Sequence, residues 1–233
     1  MPDVEYISAG FYFTAPIPRP DWAHGSRALL PDRIVTLSPC LATIVPTHWP
    51  SPAIPPVPLD LDALARMGID SERAKEIEVL VSSECAADAT RWPWRLPTLA
   101  AARAFGSRFV PRDGDSILVG VELPADCMDA FFEGSREART VSERSKVLAE
   151  RRSVEDSGEL LGYEVLGDGL YAHHSIICTG GEVDLARDLG IVANNYGLLA
   201  TLAEARRASD WASVDDHAKP FDYFPWRMTR HTW

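Results

Sequence analysis

The densest chemistry in the chain lies in LYAHHSIICTGG, residues 170–181, where His173, His174, Ser175 and Cys178 fall within six positions. Two chemistries use such residues. A zinc site takes imidazole and thiolate ligands, three or four of them, normally from at least two segments. A cysteine nucleophile needs a histidine against a partly exposed thiol that can ionise. Read as a strand, the segment alternates, so His174, Ile176 and Cys178 share one face and His173, Ser175 and Ile177 the other. Same-face neighbours on a strand stand ~6.5 Å apart, which puts His174 within reach of Cys178. That pair is too few ligands for zinc, and no CxxC or second Cys/His pair at ligand spacing occurs elsewhere. Neither a metal nor another cofactor is expected. A small cysteine-dependent enzyme using His174 and Cys178 is the alternative reading. Catalytic Cys–His pairs usually come from different segments, and buried thiols commonly act as small apolar residues. The expected role of the cluster is therefore a core strand.

The elements that must position these residues surround them. ELLGYEVL (159–166), GDG (167–169) and LYAHHSIIC (170–178) read as strand, tight turn and strand, with Leu160, Leu166, Ile176 and Ile177 expected in the core. GDGLYA also satisfies G-x-G-x-x-A, but a dinucleotide site needs a helix at that point and further βα units beyond it. GEVDLARDLG (181–190) suits a helix ending at Gly190. Thr201 and Glu204 have the spacing of a capping box, which opens a helix running to about Trp211. The aromatic tail FDYFPWRMTRHTW carries Pro225 and reads as an edge strand or a strapped-down end.

Upstream, VEYISAGFYFT (4–14) and SILVGVEL (116–123) read as strands, the second apolar enough to be buried on both faces. RIVTLSPCLATIVP (33–46) is broken by Pro39 into short extended pieces, and PSPAIPPVP (50–58) reads as a stiff linker. Asp70 can cap a helix over 71–87 with Ala74, Ile77, Val81 and Cys85 on its apolar face. A second helix covers 98–109, and Pro124 opens a short one with Met128, Phe131 and Phe132 at i, i+3, i+4. Residues 134–158 are charged and nearly empty of large apolar side chains, which predicts a solvated helix or a mobile excursion. The fold class expected is α+β: a mixed sheet with several packed helices and a Pro-rich N-terminal part, in a single globular domain over 1–233.

Charge sets the partner class. The formal net charge is −11, and residues 59–133 hold 14 acidic against 8 basic side chains. That balance disfavours nucleic acid, which needs a basic stripe to displace counterions. Four scattered cysteines, no basic leader and no apolar run near the ~18 residues of a membrane span predict a soluble cytoplasmic protein without membrane attachment. Glu72 and Glu76 share the outward face of the 71–87 helix, where they can form a docking patch for a basic protein. RWPWR (91–95) places Trp92 and Trp94 between arginines, and Trp and Arg dominate binding hot spots.

The run GELLGYEVL, YAHHSIICTGGEVDLARDLGI and NNYGLL adds a resemblance. It is similar to small bacterial proteins of the toxin-immunity type, in which a GxEILGYE-like strand precedes an HSxLCNG-like segment and an N-x-YG turn. The matching positions are Gly162, Tyr163, Glu164, His174, Ser175, Cys178, Asn195, Tyr196 and Gly197, with Thr179-Gly180 in place of Asn-Gly. The likeness covers mainly residues 159–199. It implies a non-catalytic intracellular binding protein, immunity- or antitoxin-like, that neutralises a basic toxin through an acidic surface. Glu72, Glu76, Trp92 and Trp94 are the expected contact residues.

Overall fold

In a computed structural model, residues 4–20, 29–38, 41–46, 61–86, 96–137, 148–154, 158–168, 173–214 and 222–233 are described. In chain order the strands are β1 (Tyr6–Thr14), β2 (Ile17–Pro18), β3 (Arg33–Ile34), β4 (Ile44–Val45), β5 (Ile117–Pro124), β6 (Glu159–Asp168), β7 (His173–Ser175) and β8 (Asp222–His231). The helices are α1 (Leu61–Arg66), α2 (Ser71–Ala86), α3 (Leu99–Phe109), α4 (Met128–Glu137), α5 (Gly181–Asp184) and α6 (Leu202–Val214). The fold is α+β. Six strands form one sheet in the order β4-β1-β5-β8-β6-β7, and β2 pairs with β3 apart from it. Every pairing is antiparallel, where a mixed sheet was expected. The connection holding α1–α3 leaves and re-enters the sheet at one end, so β1 and β5 meet head to tail.

The local signals act as their chemistry requires. Asp70 Oδ1 accepts from the Glu72 and Arg73 amides at 3.1 and 2.8 Å, starting α2. Thr98 caps α3 by accepting from Ala101 N at 3.1 Å. The Thr201/Glu204 box closes reciprocally: Thr201 N donates to Glu204 Oε2 at 2.9 Å and Glu204 N to Thr201 Oγ1 at 3.2 Å.

The chain's last strand corrects an expectation. β8 is not an edge but lies between β5 and β6. Pro225 is tolerated there because β8 pairs with β5 only over Arg227–His231, and at Pro225 its sole neighbour is β6, opposite Val165. Along β1, Phe11 exchanges backbone bonds with Leu96 at 2.7 and 2.9 Å, Ser8 N donates to Arg152 O at 2.9 Å, and β4 pairs with Phe13 and Thr14. On the far side Leu199 bridges Tyr163 of β6. The outermost strands, β4 and β7, are two and three residues long, and short edges offer little to pair with.

One further expectation shifts. Leu160, expected in the core, is 48% exposed. A bulge between Leu160 and Gly162 on β6 slips the alternation by one and turns Leu161 inward instead. Leu166, Ile176 and Ile177 are buried as expected. Within 134–158 the stretch 148–154 touches the sheet through Leu148, which is buried, and Ser153, which bridges Ile7, while residues 149–151 and Ser153 are exposed.

Three apolar clusters divide the interior. On one sheet face Trp226, Met228, Val119, Val121 and Tyr12 pack with Met128 and Phe131 of α4. On the other, the β1 end lies with α3, where Phe11, Phe13 and Leu118 meet Leu99, Ala102, Phe105 and Phe109. The β6 end of that face lies with α6, where Tyr163, Val165 and Tyr223 meet Ala205, Ala208 and Ala212. No helix among the described residues is long and apolar enough to cross a membrane.

Candidate functional site

α2 presents the acidic surface. Ala74 and Ile77 bury into the core, which turns Glu72 and Glu76 outward one turn apart. Glu76 approaches Arg108 Nη2 at 3.6 Å, both side chains at least half exposed, so the pair is solvated and weak. Val79, 69% exposed, continues the same face. Trp92 and Trp94, as well as the 50–58 linker, lie outside the described residues.

The His174–Cys178 constellation is built differently from the expected strand. β7 ends at Ser175, and Ile176–Thr179 form a 3-10 turn that runs through Gly180 into α5. Ser175 starts that turn, its Oγ accepting from Ile177 N at 3.3 Å. Strand alternation therefore does not carry His174 to Cys178. His174 is the cross-strand partner of Gly167, and the Cys178 thiol meets Ser38 Oγ at 2.8 Å. The cavity beside the turn, lined by Tyr163, Ser175, Ile177, Glu182 and Leu185, has a volume of about 20 Å³. That is room for roughly one water, far below the hundreds of Å³ of an ordinary substrate pocket. No group of three or more His, Cys, Asp or Glu able to hold a metal occurs among the described residues.

The residues that carry the immunity-type resemblance hold backbone in place. Gly162 occupies the bulge at φ +143°. Glu164, buried, accepts from Thr36 Oγ1 and from Leu37 N at 2.7 Å, which fastens the segment after β3 to β6. The turn before Leu199 is organised by Asn194 rather than Asn195. Its Oδ1 accepts from Tyr196 N at 2.8 Å and Leu198 N at 3.2 Å, while Nδ2 donates to Leu161 O at 2.8 Å. Gly197 at φ +76° lets Ile34 pack directly on the chain.

The structure adds a constellation that sequence reading missed. Register places Ser8, Glu122, Arg227 and Tyr163 side by side across β1, β5, β8 and β6, on the face between the α3 and α6 clusters. Arg227 Nε donates to Glu122 Oε2, and Thr229 Oγ1 lies 3.1 Å from Glu122 Oε1. Thr229 and His231 Nε2 are 3.0 Å apart. The Arg227 guanidinium stacks 3.7 Å from the Tyr6 ring centre, and the Tyr6 and Tyr163 hydroxyls share a 3.0 Å hydrogen bond. Burial pushes the Glu122 carboxyl above its ordinary value, outweighing the opposing pull of Arg227 and Thr229. Burial likewise raises Tyr6, so its phenol stays protonated. Two signals pointed here: a lone glutamate in an otherwise apolar buried strand, and Arg227, Thr229 and His231 alternating in the tail. Set against known proteins, the chain matches no family model, no curated protein and no solved structure.

Proposed function

We propose that the chain is a non-catalytic intracellular binding protein of the immunity or antitoxin type, docking a basic protein through α2. The observation that carries this reading is the division of α2 into two sides. Ala74 and Ile77 anchor one, and Glu72, Glu76 and the exposed Val79 form the other. Carboxylates beside an exposed valine suit a cationic surface, and a chain of net charge −11 steers such a partner toward it. The cavity beside the Ile176–Thr179 turn is water-sized, which favours binding over turnover at that cluster.

The test is kinetic. A basic protein encoded by a neighbouring gene, if the locus holds one, is the first partner to assay, and Glu72→Lys with Glu76→Lys is the perturbation. Association should slow by about tenfold at low salt and converge on wild type at high salt, as expected of electrostatic steering. The fold should hold within about 0.5 kcal/mol, because both positions are exposed. A rate indifferent to salt and to the double reversal sinks the reading.

A further inference from the structure

The polar row leaves one group with unused donors. Arg227 spends Nε on Glu122, and no other hydrogen bond of its guanidinium occurs among the described residues. The side chain is 23% exposed, against 3% for Glu122. Stacking on Tyr6 fixes the guanidinium plane, and the Nε bond fixes its rotation within that plane. Nη1 and Nη2 are therefore held as a rigid fork rather than on a free stem. Beside them, the Tyr6 and Tyr163 hydroxyls share one hydrogen bond. Two phenols sharing one bond keep one O–H proton unspent.

We propose that Arg227, backed by Tyr6 and Glu122 and flanked by the Tyr163 hydroxyl, is an oxyanion site that receives a carboxylate or phosphoryl group end-on through Nη1 and Nη2. A planar fork of two N–H donors matches two oxygens of either group, which an ammonium does not. Preorganisation favours binding because no side chain has to be ordered when the anion arrives. The site lies on the sheet between the α3 and α6 clusters, on strands that do not include α2. It stands independently of the partner reading.

The experiment uses the whole chain and two probes, sodium acetate and inorganic phosphate, at constant ionic strength held with chloride. Nitrogen-detected NMR follows the Arg227 Nε and Nη signals. The expected result is a saturable shift at Arg227 with at least one probe, and the tighter arm identifies carboxylate or phosphoryl as the favoured source. Arg227→Lys, which keeps the charge and loses the fork, should weaken binding about tenfold or more, read in both proteins on the backbone amide signals around residue 227. Tyr163→Phe should weaken it by a smaller factor while leaving the Arg227 signals in place. Unmoved Arg227 signals in the wild type overturn the proposal without recourse to any variant. So does a linear, unsaturable response of the wild-type Arg227 signals, which is a general salt effect only.

Discussion

Arg227→Leu should be among the most destabilising substitutions available outside the apolar core, and its partner's removal should cost much less. Glu122 is 2% exposed, so deleting Arg227 strands a carboxylate with Thr229 as its remaining donor among the described residues. Leaving a buried charge uncompensated costs about 3–5 kcal/mol. The reverse deletion, Glu122→Leu, leaves a cation that is 23% exposed and still stacked on Tyr6, so roughly 1–2 kcal/mol is expected. Replacing both by leucine should return to within about 1 kcal/mol of wild type, because a buried pair is often no better than an apolar one. Urea denaturation of the four proteins at pH 7 measures the cycle. The pH dependence has a definite sign. Burial raises the folded Glu122 pKa above its ordinary 4.5, so the folded state holds that proton more tightly than the unfolded chain. The corresponding stability is full below 4.5 and is lost as pH rises through the folded pKa. Losing Arg227 raises that pKa further, so the Arg227→Leu deficit should shrink as pH falls from 7 toward about 5. Equal, additive single costs that ignore pH would refute the reasoning.

Other positions give sharper local tests. A Cβ at Gly162 would stand 2.7 Å from Leu199 O and 2.8 Å from Asn194 Nδ2, at φ +143°. Gly162→Ala should therefore lose about 3 kcal/mol or more, read as a lowered melting temperature, by straining the bulge and parting Tyr163 from Leu199. Thr201→Ala removes the acceptor for Glu204 N, and urea titration should show a loss of about 1 kcal/mol. Ile176→Ala empties a buried site beside α5, and a loss of about 2–5 kcal/mol should follow.

What the sequence made legible was local. Asp70 and the Thr201/Glu204 pair act within three residues of themselves, so their spacing alone announced the helix starts, whereas the Thr98 cap of α3 emerged only in the structure. Strand content was equally plain, because nine successive residues from Tyr6 and eight from Ile117 are almost all apolar and buried. Register was not legible. The bulge at Gly162 exchanged Leu160 for Leu161, and Pro225 suggested an edge that proved central, because the end of β5 spares it a partner. The polar row was hidden for the same reason. Tyr163, Glu122 and Arg227 are neighbours only through the pairing of three strands far apart in sequence, and no spacing rule reaches across them. At the His174–Cys178 cluster the reading as a full strand failed at Ser175, whose side chain captures Ile177 N and begins a turn.

The residues that resemble immunity-type proteins deepen the functional question rather than close it. Gly162, Glu164 and Gly197 serve a bulge, a buried clamp and a turn, so these positions hold backbone rather than present a surface to a partner. The proposed binding reading therefore rests on surfaces, and the two proposed sites have opposite sign: carboxylates on α2 for a cationic protein, and the Arg227 fork for an anion. Opposite signs make the two separable. Glu72→Lys with Glu76→Lys should slow association yet leave phosphate or acetate binding at Arg227 unchanged, whereas Arg227→Lys should do the reverse. If each perturbation instead moved both measurements together, at matched stability and ionic strength, the surfaces would belong to one interface. A partner placing a basic patch on α2 and a carboxylate on Arg227 would then be required.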